Sequence, residues 1–455
     1  MGLKVVILAA GKGTRMRSSL PKVLQPLAQK PLLQHVVDTA NQLQPESIIG
    51  VIGHGAELVQ SKISLDSLAW CMQTEQLGTG HAVQQVLPHI EADDAVLILY
   101  GDVPLTRLET LQDLISQLDE KHPLALLTIK LDNPMGYGRI IRDPHHSVTA
   151  IVEQKDASPE QLKINEVNTG IMAAKGRHLT GWLSGLSNDN AQGEFYLTDI
   201  IAMAVNEGFH VRTSAPSAEI EVLGVNDKLQ LQDLERQYQM LKAKELMQQG
   251  VTLIDANRLD IRGEVTVGMD VEIDANVIME GRVQLGNGVK IGANTILRNV
   301  EIGEGSQIKP FSHLEDAVVG KQCQIGPYAR LRPQSHLADQ VHIGNFVEVK
   351  KSTIGFGSKI NHLSYVGDTQ MGSQVNIGAG TITCNYDGVN KHQTLIGDRV
   401  FIGSDSQLVA PVSIEDDATI GAGSTITKTA PAGELTLSRA KQLTLKGWQK
   451  PENKA

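Results

Sequence analysis

Two hydrophobic patterns divide the chain near residue 250. Before that point, continuous aliphatic runs such as residues 5–10 alternate with segments whose apolar residues recur at helical spacing, such as 32–43. A continuous apolar run is typical of a parallel strand buried on both faces, and strand–helix alternation is typical of a doubly wound sheet. This part is therefore predicted to be an α/β, Rossmann-like domain. Its other strand-like runs lie at 48–52, 95–100, 124–129, 139–142 and 148–152, with a second helical pattern at 108–118.

The segment 226–249 has the pattern of one long helix. Asn226 or Asp227 is a suitable N-cap, and Gly250 is a suitable C-terminal stop. The helix either closes the first domain or connects it to a second one. We expect the connecting role, and divide the chain into a first domain at 1–225, a linker helix at 226–250 and a second domain at 251–455.

From residue 251 onward, aliphatic residues return at every sixth position, with a few slips of register. This period fits neither an amphipathic helix nor a simple strand. It is the signature of a parallel β-helix of hexapeptide repeats, in which each short strand sends one aliphatic side chain into a narrow core. The pattern breaks between Thr383 and Thr394, which predicts a protruding loop. The predicted core positions are Ile261, Val267, Ile273, Met279, Leu285, Ile291, Leu297, Ile302, Ile308, Leu314, Val319, Ile325, Leu331, Leu337, Ile343, Val349, Ile354, Ile360, Val366, Met371, Ile377, Ile396, Ile402, Leu408, Ile414, Ile420 and Ile426.

Composition agrees with this division and excludes several classes of protein. Of the 43 Gly, 24 follow residue 250, and aromatic residues make up only 4% of the chain, as a thin core with tight turns requires. A net charge of −10 argues against a nucleic-acid partner, which would need a basic surface. Three scattered Cys argue against disulfides or a zinc site. No apolar stretch is long enough to span a membrane, so we expect a cytoplasmic protein.

A glycine-rich loop follows the first predicted strand. Residues 8–16 read LAAGKGTRM and are followed by Leu20-Pro21-Lys22. Open α/β sheets bind nucleotides at such carboxyl ends, and Arg15 and Lys22 supply positive charge. The spacing matches neither a Walker loop nor the Gly-x-Gly-x-x-Gly fingerprint, and glycines alone fit an ordinary βα turn equally well.

The whole string resembles the signature of sugar-nucleotide pyrophosphorylases. Further matching motifs occur in order at 73–81, 100–105, 136–139, 153–156, 168–170 and 224–226. Together with the solenoid, they resemble over essentially the whole chain the bacterial bifunctional N-acetylglucosamine-1-phosphate uridyltransferases/glucosamine-1-phosphate acetyltransferases. This resemblance implies a uridylyltransferase domain followed by a left-handed acetyltransferase β-helix that forms a homotrimer with acetyl-CoA sites between subunits.

The resemblance also assigns residues of the first domain to UTP, the acetylated sugar phosphate and Mg²⁺. Arg15 and Lys22 would neutralise the triphosphate as catalytic residues, and Asp102 and Asn226 would hold Mg²⁺. On their own, Asp102 could cap a turn and Asn226 could cap the long helix, or Asn226 could serve both roles. His54 and His81 are expected to be structural. The implied substrate-binding residues are Leu8, Ala9, Ala10, Gly11, Lys22, Gln73, Gly78, Thr79, Tyr100, Gly101, Asp102, Gly138, Glu153, Asn168 and Asn226.

Polar and basic residues interrupt the solenoid repeat in one stretch. Arg332 and Lys350 are 18 residues apart, which is one coil of three hexapeptides, so they should stack on adjacent coils. His362 follows 12 residues later and can serve as a general base, since imidazole titrates near neutral pH. Cys384 could be read as a nucleophile, but no second His suits it, and we expect a spectator thiol.

The resemblance assigns two sets of residues around that stretch. It makes His362 the base that activates the acceptor amine, allows Glu348 to orient its neighbours, and places an oxyanion-binding backbone near Ala379. Ser364 and Ser406 stand where the family usually has Thr, and the match weakens after Arg439. The implied acceptor-binding residues are Arg332, Lys350, Tyr365, Asn376 and Lys391, and the implied acetyl-CoA residues are Ala379, Asn385, Tyr386, Ser404, Ala422 and Arg439.

The sequence therefore predicts a bifunctional enzyme that acetylates glucosamine-1-phosphate with acetyl-CoA and then uses UTP to make UDP-N-acetylglucosamine, a cell-envelope precursor. Two alternatives stay open. One is a single-activity nucleotidyltransferase whose solenoid regulates or oligomerises. The other is a non-catalytic assembly subunit. The set Lys22, Asp102 and Asn226 disfavours the second alternative, and the residues around His362 disfavour the first.

Overall fold

The computed structural model describes residues 2–65 and 67–451, which form two compact units that divide between Gln237 and Tyr238. The first unit contains a nine-stranded sheet and a two-stranded ribbon. Their strands are β1 Leu3–Ala9, β2 Pro26–Leu27, β3 Lys30–Pro31, β4 Ser47–Ile52, β5 Leu68–Met72, β6 Ala95–Tyr100, β7 Leu124–Lys130, β8 Arg139–Arg142, β9 Val148–Val152, β10 Glu166–Lys175 and β11 Arg212–Ser214.

The order β11-β7-β10-β6-β1-β4-β5 places β1 at the centre of the main sheet. β1 is parallel to both neighbours, β4 and β6, so the chain leaves it in opposite directions along the sheet, which creates a crevice at the carboxyl ends. The prediction of a doubly wound sheet needs one correction, because β10 is antiparallel to both β6 and β7. The buried strand β10 was missed because its run includes the polar motif Asn168-Thr169-Gly170, which breaks the apolar pattern.

Helices cover the sheet and complete two apolar clusters, one on each side. Apolar residues at helical spacing, such as Leu33, Val36 and Val37 in the first helix, are buried against the strands. The helices are α1 Leu32–Gln42, α2 Ala56–Lys62, α3 Thr79–Gln84, α4 Leu108–Ser116, α5 Gly176–Ser184, α6 Asp199–Asn206 and α7 Lys228–Gln248.

The last helix, α7, resolves an ambiguity of the sequence. The Asp227 carboxylate accepts hydrogen bonds from the backbone N–H groups of Leu229 (3.0 Å) and Gln230 (2.9 Å), so Asp227 is the N-cap. The side chain of Asn226 is thereby left to point elsewhere. Gly250 has a φ of +95°, in keeping with its predicted role after the helix end.

The second unit is a solenoid of short parallel strands, each paired with the equivalent strand of the next coil. One sheet has eleven strands, and we call it face 1. A second sheet has fifteen strands and divides at β19 into two arms, which we call face 2 and face 3. Face 1 holds β12 Thr252–Leu253, β14 Glu272–Ile273, β16 Lys290–Ile291, β18 Gln307–Ile308, β20 Gln324–Ile325, β23 His342–Asn345, β26 Lys359–His362, β29 Asn376–Ile377, β32 Phe401–Ile402, β35 Thr419–Ile420 and β37 Leu435–Thr436.

The remaining strands belong to the fifteen-stranded sheet. The first four run across both arms: β13 Leu259–Val267, β15 Val277–Leu285, β17 Ile296–Ile302 and β19 His313–Val319. Face 2 continues with β21 Arg330–Leu331, β24 Glu348–Lys350, β27 Tyr365–Gly367, β30 Ile382–Cys384, β33 Gln407–Val409 and β36 Thr425–Ile426, and face 3 with β22 Ser335–Leu337, β25 Ser352–Ile354, β28 Thr369–Met371, β31 Thr394–Ile396 and β34 Val412–Ile414.

The six-residue repeat predicted this core closely. Every aliphatic residue assigned to the repeat is buried except Val267, which is half-buried against the same cluster. The break after Thr383 is a hairpin in which Tyr386 and Lys391 form an antiparallel bridge before β31 begins at Thr394. The predicted parallel β-helix is therefore confirmed, while its left-handed sense stays a prediction.

Candidate active sites

A cavity of about 280 Å³ opens at the carboxyl ends of β1 and β6. It lies at the position where the strand order reverses, where open α/β sheets bind nucleotides. Nine of the assigned substrate-binding residues and the predicted metal ligand Asp102 line it, together with four residues that carried no assignment. The lining residues are Leu8, Ala9, Ala10, Gly11, Lys22, Gln73, Gly78, Thr79, Tyr100 and Asp102, with Val23, Gln76, Ala82 and Glu194.

Glycine backbone forms part of the wall of this cavity, at Gly11 and Gly78. Gly78 has a φ of +112°, and a Cβ at this position would lie 2.6 Å from the carbonyl oxygen of Phe195, so a side chain there would displace the neighbouring loop. Gln73 donates a hydrogen bond to the Gly78 carbonyl (3.1 Å), and its amide lies 3.1 Å from Nδ1 of His81. This contact orients Gln73, which supports the structural role expected of His81.

The charged residues of the first site meet at one point. Lys22 Nζ donates to Asp102 Oδ2 and to Asn226 Oδ1 (3.2 Å), and Arg15 donates to Asn226 Oδ1 (2.9 Å). The backbone N–H of Val225 also donates to the Asp102 carbonyl (3.0 Å). The structure thus brings together Arg15, Lys22, Asp102 and Asn226, although 211 residues separate the first from the last.

Three residues assigned to the sugar lie together beside this cavity. The backbone N–H of Asn168 donates to the Gly138 carbonyl (2.9 Å), and a Cβ on Gly138 would lie 3.4 Å from the carboxylate oxygens of Glu153. Burial raises the pKa of Glu153 even though Thr198 donates a hydrogen bond to it (3.1 Å). These residues are not part of the cavity lining, so the sugar and nucleotide assignments occupy adjacent regions.

Tyr100 connects the two regions. Its ring lies against Gly170, where a Cβ would be 2.7 Å from Tyr100 Cε2 and where φ is +88°. Burial, followed by the nearby carboxylates of Glu153 and Asp102, raises the pKa of the Tyr100 hydroxyl, which therefore stays protonated. Gly101 packs on the first strand, and its N–H donates to the Leu8 carbonyl (2.9 Å).

The predicted cations of the solenoid form a cluster on face 2. Leu331 pairs with Val349, so Arg332 and Lys350 stack on adjacent coils as their spacing predicted. Lys391, carried by the protruding hairpin, lies close enough to lower the pKa of Lys350, and Arg332 lowers it further. Glu348 accepts a hydrogen bond from Arg332 (2.7 Å), which supports the orienting role expected of it.

His362 is exposed at the corner where face 1 turns into face 2. Its Nδ1 lies 3.0 Å from Oδ1 of Asn345, which stacks against it on the preceding coil. Because an amide oxygen only accepts, Nδ1 must carry the proton, and Nε2 of the neutral ring is left with a free lone pair directed away from Asn345. This is the tautomer that a general base requires.

The hairpin and face 2 are joined by a buried carboxylate. Asp368 Oδ2 accepts from Asn385 Nδ2 (2.6 Å), and Lys351 Nζ lies 3.2 Å from Asp368 Oδ1. The same Asn385 amide is 3.5 Å from the hydroxyl of Tyr365. Asp368 was not singled out in the sequence, because nothing local marks an isolated Asp at a turn as a partner of Asn385.

Three residues assigned to acetyl-CoA follow His362 along the same corner. The N–H of Asp405 donates to the Ala379 carbonyl (2.7 Å), and the N–H of Gly423 donates to the Ser404 carbonyl (2.8 Å), so these positions and Ala422 succeed one another from coil to coil. Arg439 donates to the Ala422 carbonyl (2.8 Å). Tyr386 is exposed on the hairpin, and its hydroxyl donates a hydrogen bond to the Gly388 carbonyl (2.5 Å).

One assigned acceptor residue is not brought to the others. Asn376 lies on face 1, in strand β29, whereas Arg332, Lys350 and Tyr365 belong to face 2. Side chains on two faces of a prism point in diverging directions. A ligand lying over face 2 therefore cannot also contact Asn376 of the same solenoid in this arrangement.

Two further expectations concern cysteine and membranes. Cys384 is half-buried, and burial raises the pKa of its thiol, which agrees with a spectator and disfavours a thiolate nucleophile. Within residues 2–65 and 67–451, no helix is long and apolar enough to cross a membrane.

Comparisons with known proteins agree with both halves of this description. The MobA-like NTP transferase domain matches residues 5–154, the GMPPB C-terminal domain matches 261–355, and the bacterial transferase hexapeptide (six repeats) matches 393–428. A solved UDP-glucose pyrophosphorylase complexed with UDP-glucose covers 52% of this chain and 98% of its own at 16% identity and a TM-score of 0.45, a likeness too weak to bear on this chain.

Full-length relatives are much more similar. The Bifunctional protein GlmU of Hydrogenovibrio crunogenus is 68% identical over 451 residues and that of Marinobacter nauticus is 59% identical over 450, each match covering 99% of both chains. One transferase model matches within each half of the chain, in the order that the sequence motifs predicted. This chain therefore belongs to the GlmU family of bifunctional proteins.

Proposed function

We propose that the chain makes UDP-N-acetylglucosamine in two steps, acetyl transfer on the solenoid followed by uridylyl transfer in the first unit. The observation that carries the proposal is the presence of both sets of groups in one chain: the Lys22, Asp102 and Asn226 cluster, and His362 beside stacked cations. The domain assignment follows, with the uridylyltransferase at 1–225, the linker helix at 226–250 and the acetyltransferase at 251–455. A cytoplasmic location is part of the proposal, since UTP and acetyl-CoA are cytoplasmic metabolites.

Uridylyl transfer needs no protein nucleophile. A phosphate oxygen of N-acetylglucosamine-1-phosphate attacks the α-phosphorus of UTP, a new P–O bond forms, and the bond to the β-phosphate breaks to release pyrophosphate. Catalysis is then positioning and charge neutralisation. The cavity holds the nucleotide, Gly138, Glu153 and Asn168 hold the acetylated sugar, and Arg15 and Lys22 neutralise the phosphates.

The oxygen atoms of Asp102 and Asn226 fit a divalent cation. Both accept from one ammonium group, that of Lys22, so they converge on a single point suited to positive charge. One carboxylate and one amide oxygen suit Mg²⁺, which takes few protein ligands and completes its shell with phosphates and water. When bound there, Mg²⁺ would neutralise the triphosphate charge. Lys22 would then leave Asp102 and turn its ammonium toward the phosphates.

Acetyl transfer follows from the position of His362. Nε2 removes a proton from the amine of glucosamine-1-phosphate, and the amine nitrogen attacks the thioester carbonyl of acetyl-CoA. A C–N bond forms, the C–S bond breaks, and CoA leaves as a thiol after taking up a proton. Arg332, Lys350 and Lys391 bind the acceptor phosphate, with Tyr365 beside it, and backbone near Ala379 stabilises the oxyanion.

A homotrimer resolves the divided position of Asn376. If face 1 of one copy meets face 2 of the next, Asn376 of the neighbour is brought opposite Arg332 and Lys350. The corner between these faces carries an exposed stack of rings, with centroids 5.0 Å apart for Phe311 and Tyr328. Rings half-exposed to water at consecutive coils are typical of an interaction surface.

The backbone conformation at this corner supports the same arrangement. Tyr328 has a φ of +56°, a conformation that bulky residues adopt at a cost of about 1–3 kcal/mol, so a ring at this corner needs a reason beyond the turn. Complementary faces joined in rotation close into a ring.

Two single variants of the full chain test the proposal. His362→Ala should abolish CoA release from acetyl-CoA and glucosamine-1-phosphate and leave UTP-dependent pyrophosphate release unchanged. Asp102→Ala should do the reverse. If His362→Ala retained full acetyl transfer, His362 would not be the base, and if the unaltered chain released no CoA, the solenoid would be regulatory or oligomerising. If both variants lost both activities, the two sites would not be independent.

A further inference from the structure

The two proposed metal ligands sit on segments that are far apart in sequence. Asp102 opens the turn that leads to α4, and Asn226 closes the segment that leads to α7. Neither segment is held by a sheet ladder at the ligand itself. One direct link between them is the hydrogen bond from the Val225 N–H to the Asp102 carbonyl.

A second link is a fully buried carboxylate, Glu221, which is 0% exposed. Its Oε2 accepts from the hydroxyl of Thr110 (2.5 Å) and from the N–H of Arg107 (3.3 Å), both on the Asp102 side. Its Oε1 accepts from the hydroxyl (2.6 Å) and N–H (3.0 Å) of Ser217 and from the N–H of Ala218 (3.2 Å).

The backbone of Glu221 adds to the same link. Its carbonyl accepts from the hydroxyl of Thr106 (2.8 Å), four residues after Asp102. The segment that ends at Asn226 is therefore fastened to the segment that begins at Asp102 by three bonds through Glu221. A buried carboxylate costs free energy unless its lone pairs are satisfied, and here both oxygens are satisfied by donors on both segments.

We propose that Glu221 is a positioning residue for the divalent cation, because it fixes the distance between Asp102 and Asn226. The inference rests on the proposed function, in which these two residues are the metal ligands. Groups that orient metal ligands typically change metal affinity by about 10- to 100-fold when they are removed. We expect removal of the Glu221 carboxylate to lower metal affinity in the same way, through a change in the backbone positions of the two segments.

The test measures metal binding directly. Free Mn²⁺ is titrated by electron paramagnetic resonance in the full-length protein and in Glu221→Gln. This substitution keeps the size of the side chain but places the N–H donors of the new amide opposite the N–H and O–H groups that the carboxylate accepted from. We expect the Mn²⁺ dissociation constant to rise about 10-fold or more. The Mg²⁺ concentration for half-maximal pyrophosphate release should rise in parallel, with kcat at saturating Mg²⁺ changed less than about threefold.

Two matched variants and one internal reference complete the test. Thr110→Val removes one donor without changing shape and should raise the Mn²⁺ dissociation constant by a smaller factor, which keeps the test open if Glu221→Gln folds poorly. Glu166→Gln removes another carboxylate of the same unit, bound by Arg142 and Thr128, and should leave Mn²⁺ affinity unchanged. Acetyl transfer should be unchanged in all three.

The possible results separate the inference from the function on which it rests. Lower thermal stability of Glu221→Gln with unchanged Mn²⁺ affinity would overturn the positioning role. If Asp102→Ala bound Mn²⁺ as tightly as the unaltered protein, the metal site itself would be wrong. An equal loss of affinity in Glu166→Gln would also contradict the proposal, because the effect would then be general to the unit.

Discussion

The proposed nucleotide cavity is concave and draws all its residues from one compact unit, whereas the proposed acetyltransferase residues lie on a convex corner of a repeating solenoid. In the first unit, loops at the carboxyl edge of a sheet converge, so Arg15 and Asn226 meet at 2.9 Å. On the solenoid, faces diverge, and Asn376 points away from Arg332 and Lys350. His362 and Lys391 are exposed, while Lys22 and Asp102 are half-buried.

The two architectures differ in how they bring together residues that are far apart in the sequence. A sheet edge gathers segments from the whole unit into one cavity, so a single chain can complete a site. Outside its protruding hairpin, the solenoid keeps each residue near its own coil and brings together residues about 17 or 18 positions apart, as in the pairing of Asn345 with His362. A site on such a surface needs a second surface to enclose the ligand, and we propose that a neighbouring copy supplies it.

The largest expected effect distinguishes the two sites through assembly. Tyr328→Glu places a charge in the exposed ring stack and should break the proposed trimer, and acetyl transfer should then fall by about 100-fold or more because the site loses its second surface. Uridylyl transfer should change by less than about twofold. Sedimentation velocity and the two assays on one sample measure this.

The control for this prediction is Leu395→Glu, an exposed apolar position on face 3, outside the proposed interface. It should leave both the assembly and acetyl transfer unchanged. If the Tyr328→Glu protein were monomeric with full acetyl transfer, the solenoid site would be complete in one chain, and the comparison between the two sites would fail.

A second prediction affects only the concave site. Gly170→Ala introduces a Cβ 2.7 Å from the Tyr100 ring at a φ of +88°. Strain of about 1–3 kcal/mol should lower kcat/KM for UTP by about 10-fold, with acetyl transfer unchanged. Gly208→Ala is a matched control, since its φ is +87° but no atom lies within 4 Å of the added Cβ; equal losses in both variants would attribute the effect to the backbone alone.

A third prediction concerns the cations of the convex site. Lys391→Gln removes one of the three positive charges that we propose bind the acceptor phosphate, and it should raise the KM for glucosamine-1-phosphate about 10-fold, as expected for one charge-assisted hydrogen bond. Because Lys391 is the main cause of the lowered pKa of Lys350, that pKa should rise in the variant. The alkaline limb of the kcat/KM profile should then shift to higher pH, and a shift to lower pH would show that Lys350 is not the titrating group.

The smallest effect is on the stability of the first unit. Burial raises the pKa of Glu221, but hydrogen bonds from Ser217 and Thr110 outweigh it, and the pKa lies below its ordinary value of 4.5. The stabilisation is therefore complete above about pH 4.5 and is lost as the pH falls through the folded-state pKa. Urea unfolding should show Glu221→Gln less stable by about 1–3 kcal/mol at pH 7, and the difference should shrink in acid; a difference that grows in acid would contradict this.

Much of the fold and of the site chemistry was predictable from the sequence because it has local causes. Aliphatic runs, helical spacing and the six-residue period reflect burial at each position, and they predicted most strands, α7 and the solenoid core. The ordered motifs predicted the family, which is confirmed. The antiparallel β10 was missed because polar motif residues interrupt its apolar run. The burial of Val267 was overestimated because this residue lies near the first coil, where fewer neighbours cover it.

Other features could not be predicted from neighbouring residues in the sequence. Glu194, Glu221 and Asp368 carry no motif, and their importance comes from partners such as Thr110 and Asn385 that lie elsewhere in the chain. The choice of Asp227 over Asn226 as the helix cap also depended on a distant partner, since Arg15 and Lys22 bind the Asn226 side chain.

The sequence by itself determined the two architectures, the order of the motifs and the family, because hydrophobic period and motif spacing are properties of neighbouring residues. Only the tertiary structure decided that Lys22 joins Asp102 to Asn226, that Glu221 joins their two segments, and that Asn376 faces away from Arg332. These are distances between residues far apart in the chain, and they are set by how strands and coils pack.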